Sequence, residues 1–328
     1  MKHLSAYISL AVSVLVLLGI SSCGQQSSSH VMSGSLHYAE LFDLSVDESG
    51  NPLVISISPY DNSRDTLCVS SPLSRIVCMS STHVACLDAL GCDSVIVGAS
   101  GKSYLSNTRV KKSAVEVGYD PDIDYEAVLS VNPDLFVAYS VSEADPQYVR
   151  KLRELGVPVL LISDHLEQHP LARAEYVRLF GALVGKLPQA DDYFSKIEGE
   201  YLGIAEIITS SDVEPAKVLI NVPYSGEWFI PGGDNYTARL VSDAGGEILH
   251  AEKGKVASSV ISMEEAYVMS AEADVWLNPG WCRTKKDLLS VSPLFKEFPS
   301  VRVPVYNNTL RENSEGGDDF WESGAVHP

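Results

Sequence analysis

Short apolar runs alternate with helix-like stretches in two separate blocks of this chain, and this alternation constrains the fold more than any other feature. In the first block the predicted strands are Arg75–Met79, Val95–Ala99, Leu135–Tyr139 and Val157–Ile162. In the second block they are Val218–Val222, Val275–Leu277 and Val301–Tyr306. Helices between consecutive strands imply right-handed crossovers, which place the strands parallel in one sheet. The sequence therefore predicts two α/β lobes, each built on its own parallel sheet.

A long helical section separates the two blocks. Helical periodicity runs from Ala172 to Ile208, with one interruption near Lys186–Pro188. Ahead of the first block, two β-rich runs flank Glu48–Asn51, which predicts a hairpin over residues 41–58. The predicted fold class is α/β, with two Rossmann-like lobes that have parallel central sheets, a single long α-helix joining them, and an N-terminal β-hairpin. We assign the N-terminal lobe to residues 36–165, the interlobe helix to 166–210 and the C-terminal lobe to 211–328.

Residues 1–22 predict a signal peptide rather than a part of the fold. Lys2 supplies a positive start, and the apolar run Ile8–Ile20 is too short for a comfortable transmembrane helix. Small residues then lead into Cys23, a pattern that resembles the lipidation site of a bacterial lipoprotein. We therefore expect a lipid on Cys23 and a flexible tether over residues 23–35 that anchors the folded body to a membrane. An ordinary signal peptide followed by a chance cysteine is the alternative.

The charge balance and the cysteines exclude some partners. The chain has 24 basic and 43 acidic residues and a net charge of −19, which opposes binding to nucleic acid or to anionic lipid. Five cysteines follow Cys23, and none of them has the CxxC spacing of a metal or redox site. Buried free thiols are the expected state of Cys78 and Cys86. A Cys86–Cys92 or Cys68–Cys78 disulfide is the alternative.

An ordered set of short motifs resembles the solute-binding proteins of ABC importers for siderophores, haem and cobalamin. In the first block the motifs are Arg75–Thr82, Leu87–Gly91, Val95–Gly98, Val117–Gly118, Tyr125–Glu126 and Asn132–Leu135. In the second block they are Trp228–Gly233, Ala244–Gly246, Ile261–Glu264 and Ala273–Val275. The resemblance implies a non-catalytic receptor, with no resident cofactor or metal, that delivers a metal chelate to an ABC permease and its ATPase. It also implies a monomeric lipoprotein of the periplasm, similar to those of Bacteroides-type bacteria.

The predicted ligand site lies where the strands of the two sheets end. Ligands of open α/β sheets bind at the carboxyl ends of the strands, and two facing lobes would form a cleft there. The loops at those ends are rich in aromatic residues, which suit a large planar chelate. The predicted ligand-binding residues are Ser81, Tyr104, Tyr139, Tyr224, Trp228, Trp281, Arg283 and Trp321. Arg283 would meet an anionic group, and ordinary packing inside a lobe is the alternative for each ring.

Members of this family carry a surface acid on each lobe that docks onto the permease. In the second lobe the matching residue is Glu264, which would also favour the first turn of its helix. In the first lobe the family's Thr-Glu pair is replaced by Thr82-His83, so His83 is the docking candidate there. Ligation of an iron centre is the alternative role of His83, and Tyr104 and Tyr139 are further candidate iron ligands.

Two features near the end of the chain stand apart from the receptor pattern. Glu315, Asp318, Asp319 and Glu322 form an acidic cluster whose oxygens could hold Ca²⁺, although a solvated loop is the default interpretation. Members of the family usually continue into a final helix that packs on the second lobe, whereas this sequence stops at Pro328. We therefore expect exposed apolar surface on that lobe.

Two other functions stay open from the sequence alone. An enzyme on the same fold, such as a hydrolase or a metal chelatase, would need a nucleophile–base pair or paired carboxylates. The sequence has no GxSxG and no HExxH motif. A cell-surface scavenger that feeds an outer-membrane transporter would share the sequence features of the periplasmic receptor.

Overall fold

The computed structural model describes residues 36–280, 282, 284–306 and 323–328. The strands of the first half are β1 (Phe42–Val46), β2 (Pro52–Ile57), β3 (Arg64–Cys68), β4 (Ile76–Cys78), β5 (Ile96–Ala99), β6 (Val115–Glu116), β7 (Gly118–Tyr119), β8 (Asp122–Ile123), β9 (Leu135–Tyr139) and β10 (Val159–Ile162). Its helices are α1 (Ser81–Ala89), α2 (Thr108–Ser113), α3 (Tyr125–Ser130), α4 (Gln147–Glu154) and α5 (Pro170–Leu183). Helix α6 (Leu187–Ser210) leads into the second half.

The second half contains β11 (Ala216–Ile220), β12 (Trp228–Ile230), β13 (Gly246–Ile248), β14 (Ser259–Ile261), β15 (Val275–Leu277) and β16 (Val305–Tyr306). Its α-helices are α7 (Tyr236–Asp243), α8 (Met263–Ser270) and α9 (Lys285–Val291). Short 3₁₀ turns cover Asp93–Val95, Lys102–Tyr104, Asp164–Leu166, Pro293–Glu297, Pro299–Arg302 and Ser323–Ala325. Within the described ranges, no helix is both long enough and apolar enough to cross a membrane.

The first lobe is built on a five-stranded parallel sheet with the strand order β10-β9-β4-β5-β6. Ile76 pairs with Leu135 and with Ile96, so β4 lies at the centre of the sheet. All residues of β4 and the first four residues of β9 are buried. Helices cover both faces of such a sheet, which explains why its strands are continuous apolar runs in the sequence.

The second lobe is built on a four-stranded parallel sheet with the strand order β13-β11-β15-β16. A separate antiparallel pair, β12 and β14, packs beside it. The core of this lobe contains four aromatic rings, from Trp228, Trp276, Phe295 and Phe298. The two parallel sheets confirm the predicted α/β class.

The segment between the two blocks contains two helices. Helix α5 ends at Leu183, the chain reverses at Gly185 with a positive φ of 68°, and α6 begins at Leu187. The two helices pack closely and run antiparallel, because Arg178 Nε donates to Asp191 Oδ1 at 2.7 Å across them. Every residue of α5 except Arg173 is buried, so α5 belongs to the first lobe. The connection to the second lobe is a single long helix as predicted, and this helix is α6.

Two peripheral segments also differ from the sequence-based assignment. The predicted hairpin is confirmed as β1 and β2, and a third strand, β3, extends it into an antiparallel sheet. At the other end of the chain, Val326 is buried in the hydrophobic core of the first lobe, and His327 Nε2 lies 3.3 Å from Glu200 Oε2 on α6. Residues 323–328 therefore pack against the first lobe and α6, and Tyr236 of α7 also donates its hydroxyl hydrogen to Gly324 O at 3.4 Å.

Candidate functional site

Two exposed tyrosines stand side by side at the carboxyl edge of the first-lobe sheet. Tyr104 follows β5 and is 73% exposed, and Tyr119 lies in the β7–β8 ribbon and is 53% exposed. The rings flank Gly101, since a Cβ atom added there would lie 3.4 Å from Tyr104 Cδ2 and 3.7 Å from Tyr119 Cε1. Exposed aromatic rings at this edge of an α/β sheet are placed to contact a ligand.

One carboxylate holds the loops that carry these two rings. Glu116 Oε1 accepts hydrogen bonds from the backbone N–H groups of Gly101 at 2.8 Å and Gly118 at 3.2 Å. Glu116 Oε2 accepts a third one from Lys102 N at 2.8 Å. Hydrogen bonds to a charged acceptor are stronger than neutral ones, so the two loops are fixed relative to each other. Glu116 thus positions the tyrosine pair.

A third tyrosine and a histidine extend this edge. Tyr139, at the end of β9, is half-buried, and its ring meets the His165 ring edge-on with a centroid distance of 5.5 Å. Burial raises the pKa of the Tyr139 hydroxyl, and the nearby charges of Asp120 and Asp164 raise it further. Asp120 directly follows Tyr119, so the loops after β5, β7 and β9 converge. At neutral pH Tyr139 therefore presents a neutral phenol.

A buried polar cluster lies beneath this edge. Thr82 Oγ1 donates to Asp164 Oδ2 at 2.7 Å, and His83 Nε2 lies 3.6 Å from Asp164 Oδ1. Burial alone would raise the pKa of the Asp164 carboxyl, but His165, His83 and Thr82 together hold it well below its usual range. Ser80 caps α1 by accepting from Thr82 N, and the half-buried Ser81 is the first residue of that helix.

The structure contradicts the docking role predicted for His83. The side chain is fully buried and packs against Phe180 with a centroid distance of 5.7 Å. Neither ring nitrogen of His83 has a hydrogen-bond partner among the residues that the structure describes. A residue without solvent-accessible surface cannot contact a permease. The prediction was wrong because the first turn of α1 faces helix α5 and not the solvent.

In the second lobe, Trp228 is a core residue. It is 1% exposed, stacks on Trp276 at 5.9 Å and on Phe298 at 6.2 Å, and its Nε1 donates to Ile220 O at 2.8 Å. The prediction that it contacts the ligand was wrong, because the ring of Trp228 points into the lobe. Tyr224, which follows β11, is 77% exposed instead. Among the described residues, Tyr224 is thus an exposed aromatic side chain of the second lobe near the carboxyl end of β11.

The loops that follow β11 and β15 are tied to each other. Asn221 Oδ1 accepts a hydrogen bond from Asn278 Nδ2 at 2.9 Å, and Asn221 Nδ2 donates to Phe229 O at 2.8 Å. Both asparagines adopt positive φ angles, which this residue type tolerates better than most. The second lobe therefore presents a fixed edge to a ligand.

One contact joins the lobes directly, and a second one joins the connecting helix α6 to the second lobe. The guanidinium of Arg173 lies 3.8 Å above the ring of Tyr236, which is the first residue of α7. On the same side, Tyr201 of α6 donates its hydroxyl hydrogen to Asp243 Oδ2 at 2.8 Å. A cation over a ring and a charge-assisted hydrogen bond are both directional. These contacts restrict how far the lobes can move relative to each other.

A cavity of about 450 Å³ lies between the lobes. The residues that line it are Tyr38, Glu40, Glu167, Gln168 and His169 on one side, with Gly233, Asp234 and Arg239 on the other. Burial and the charge of Arg239 lower the pKa of His169, whose Nδ1 accepts a hydrogen bond from Leu171 N at 3.0 Å. The imidazole is therefore neutral with its proton on Nε2. The sequence analysis did not identify any of these residues as ligand-binding.

Within the described ranges no group of three or more His, Cys, Asp and Glu side chains is placed to hold a metal ion. Cys68, Cys78, Cys86 and Cys92 are free thiols, and all except Cys68 are buried. Neither disulfide considered from the sequence is formed.

The comparisons with known proteins agree with this architecture. The sequence profile of the periplasmic binding protein family matches residues 76–303. The chain belongs to this family. Among solved structures, a periplasmic heme-binding protein from Roseiflexus sp. RS-1 is similar, with a TM-score of 0.58 and 19% identity over 78% of this chain and 95% of that one. The structure of an ABC-type Fe³⁺-hydroxamate transport system from Saccharomonospora viridis gives 0.54 and 16%, over 74% and 88%. At these identities the likeness establishes the fold.

Relatives of this periplasmic binding protein include lipoproteins. An uncharacterized lipoprotein of Methanocaldococcus jannaschii is 26% identical over 275 residues, which are 79% of this chain and 63% of that protein. A cobalamin-binding protein of Halobacterium salinarum is 21% identical over 219 residues, or 67% of this chain and 57% of that protein. The chain thus spans less than two thirds of the length of either of these two relatives.

For the other predicted site residues of this periplasmic binding protein, the structure either gives a position or does not describe the residue. Glu264 is exposed at the start of α8, next to the capping box formed by Ser262 and Glu265. Its docking role stays a prediction. Several predicted features lie outside the described residues. They are Cys23 with the predicted signal peptide and tether, Trp281, Arg283, Trp321 and the acidic cluster at 315–322. Sequence reasoning missed Tyr119, although its place in the Val117-Gly118-Tyr119 run, directly after a family motif, was a usable signal.

Proposed function

We propose that this protein is the substrate-binding lipoprotein of an ABC importer and that it captures a metal chelate between its two lobes. The cargo would be a ferric siderophore, haem or cobalamin, which enters as substrate and not as a resident cofactor. The family and the two-lobe fold support the receptor role. The observation that carries the choice of cargo is the set of three tyrosines, Tyr104, Tyr119 and Tyr139, at one edge of the first lobe.

Aromatic side chains suit this cargo for a physical reason. Flat conjugated ligands bury large apolar faces, and aromatic rings match those faces in offset-stacked or edge-to-face geometries. Because Tyr139 is held as a neutral phenol, we assign it to ring contact and hydrogen bonding. Tyr104 is the better candidate for an iron ligand, because its side chain is more exposed. Polar groups of the ligand would meet the Asn221–Asn278 edge of the second lobe.

The proposal also covers how the cargo is delivered to the permease and where the protein is located. Glu264 would dock onto basic residues of the permease, and its exposed position on α8 supports this role. Lipidation of Cys23 would anchor the protein to a membrane and keep the monomer in the periplasm, close to the permease and its ATPase. Relatives named lipoproteins support the anchor. The role is binding rather than catalysis.

A binding panel tests the proposal. The purified protein is titrated with haem, a ferric hydroxamate, a ferric catecholate and cobalamin, and binding is followed by absorbance and tryptophan fluorescence. We expect submicromolar affinity for at least one chelate, and a loss of about 5- to 10-fold in Tyr104→Ala or Tyr119→Ala, as the free energy of an aromatic contact implies. Tyr267→Ala, on the surface of α8, is the matched control and should bind as the wild type does. Absence of binding across the panel would refute the proposed function.

A further inference from the structure

The backbone just ahead of the first strand is held by two buried carboxylates. Glu175 accepts hydrogen bonds from the N–H groups of His37 at 2.9 Å, Tyr38 at 3.0 Å and Ala39 at 2.9 Å. Glu167 Oε1 accepts from the next two N–H groups, at 3.0 Å and 2.8 Å. Five consecutive amides are therefore bound by two side chains. We name residues 37–41 the strap.

The strap supplies hydrogen-bond donors that the two buried carboxylates need. Glu175 is fully buried and Glu167 is 4% exposed, so both would be costly to leave without donors. Arg178 Nη1 lies 3.0 Å from Glu175 Oε1 and fixes that carboxylate from the opposite side. Detaching the strap would remove five hydrogen bonds from two buried carboxyl groups. The strap is thus an integral part of the fold.

Tyr38 is fixed at three points within the strap. Its ring lies 4.9 Å from the His169 ring and 6.1 Å from the Phe194 ring, measured between centroids. Its hydroxyl donates to Glu198 Oε1 on α6 at 2.8 Å. Burial, the hydrogen bond to Glu198 and the charges of Glu198 and Glu175 raise the pKa of Tyr38 to about 12. The side chain is consequently a rigid, neutral ring.

The strap lines the cavity between the lobes. Tyr38 and Glu40 contribute to one wall, and Asp234 and Arg239 of the second lobe contribute to the opposite wall. A molecule that fills this space therefore lies between the strap and the second lobe. The family motifs begin only at Arg75, so this wall is supplied by a segment ahead of them.

We propose that the strap is a fixed wall of the ligand cavity and that Tyr38 is a ligand-contacting, specificity-determining residue. This inference rests on the proposed function, since it concerns a cargo with a conjugated face that binds between the lobes. It extends the site from the tyrosine edge to a cavity whose lining contains none of Tyr104, Tyr119 and Tyr139. The strap also directly precedes β1 and follows the predicted tether. Ordering of residues 37–41 therefore belongs to the folded body, and a protein shortened to the family motifs would lose one side of its site.

The test combines binding with hydrogen exchange on the full mature chain. Tyr38→Ala removes the ring, Tyr38→Phe removes only the bond to Glu198, and Tyr267→Ala is the matched surface control. With whichever of haem, a ferric siderophore or cobalamin binds the wild type, we expect Tyr38→Ala to weaken the affinity about 5- to 10-fold. We expect Tyr38→Phe and Tyr267→Ala to stay within about twofold. The amides of residues 37–41 should exchange slowly in the wild type.

The outcomes separate the two proposals. Wild-type affinity in Tyr38→Ala would overturn the contact role, and fast exchange of the strap amides in the wild type would overturn the fixed wall. If the wild type binds no chelate, the proposed function fails and the ligand contact of Tyr38 fails with it. In that event hydrogen exchange still decides whether the strap is docked. A Tyr38→Ala protein that loses affinity together with its melting transition would count against a specific contact.

Discussion

The Glu167 carboxyl makes the stability of the fold depend on pH in a direction opposite to that of most acidic residues. Burial is the largest cause that raises its pKa, from 4.5 to about 7, against the lowering effect of the hydrogen bonds from Leu41 and Glu40. A group whose pKa is raised in the folded state holds its proton better when folded. Its contribution to stability is therefore fully present below the unfolded value and is lost as the pH rises to about 7.

The magnitude follows from the two pKa values. Between pH 6 and pH 8 the unfolded carboxyl is already ionised, whereas the folded one loses its proton. The free energy of unfolding should consequently fall by about 1.3 kcal/mol over this interval from Glu167 alone. Such a change lowers the melting temperature of a protein of this size by a few degrees, roughly 2–4 °C.

The assay is urea denaturation at pH 6 and pH 8 for the wild type, Glu167→Gln and Glu206→Gln. Glu206 is an exposed glutamate on α6 and serves as the matched control. We expect Glu167→Gln to remove this part of the pH dependence, because its side chain does not titrate, and Glu206→Gln to retain it. An identical pH dependence in Glu167→Gln and the wild type would refute the reasoning.

Three further predictions concern the scaffold and the partners. Trp228→Ala should lower the free energy of unfolding by about 3–5 kcal/mol in urea denaturation, because the ring is buried in an aromatic core; a change below about 1 kcal/mol would contradict the core assignment. Glu116→Gln should speed the hydrogen exchange of the Gly101 and Lys102 amides and weaken chelate binding without contacting the ligand, and unchanged exchange would contradict its positioning role. Glu264→Arg should leave chelate affinity intact but reduce uptake by cells, whereas normal uptake would exclude docking through this residue.

The central strands of the first-lobe sheet were predictable because almost all of their residues are buried. Leu135–Tyr139 is a strand with the predicted bounds, and Ile96–Ala99 differs from its prediction by one residue. Burial on both faces makes such strands continuous apolar runs, which sequence patterns detect. By contrast, β3 has mainly exposed residues, and β6, β7 and β8 have only two residues each. Segments that are short or exposed carry no apolar pattern.

The direction of the chain at the break between α5 and α6 could not be predicted. The sequence showed the interruption near Leu187-Pro188, but a kink and a reversal give the same local signal. Tertiary packing decides between a kink and a reversal. Gly181 allows α6 to approach α5 closely, because a Cβ atom added at Gly181 would lie only 2.5 Å from Ala190 Cβ. Which residue faces which neighbour emerges only from the packed structure.

The candidate site was predicted in its location but only partly in its residues. Tyr104, Tyr139 and Tyr224 lie at strand ends as expected, yet Trp228 and His83 turned out to be buried. An aromatic residue or a histidine near a strand end has either a cleft or a core as its surroundings, and the local sequence is the same in both cases. The strap was missed because its contacts to Glu167 and Glu175 span more than 120 positions of the chain.

Hydrogen–deuterium exchange with and without a saturating chelate tests the central claim most directly. If the ligand binds between the lobes, amide exchange slows in both lobes. It slows in the loops after β5 and β9 of the first lobe and in the loop after β11 of the second. Slower exchange confined to one lobe, or none at all, would contradict a site formed by both.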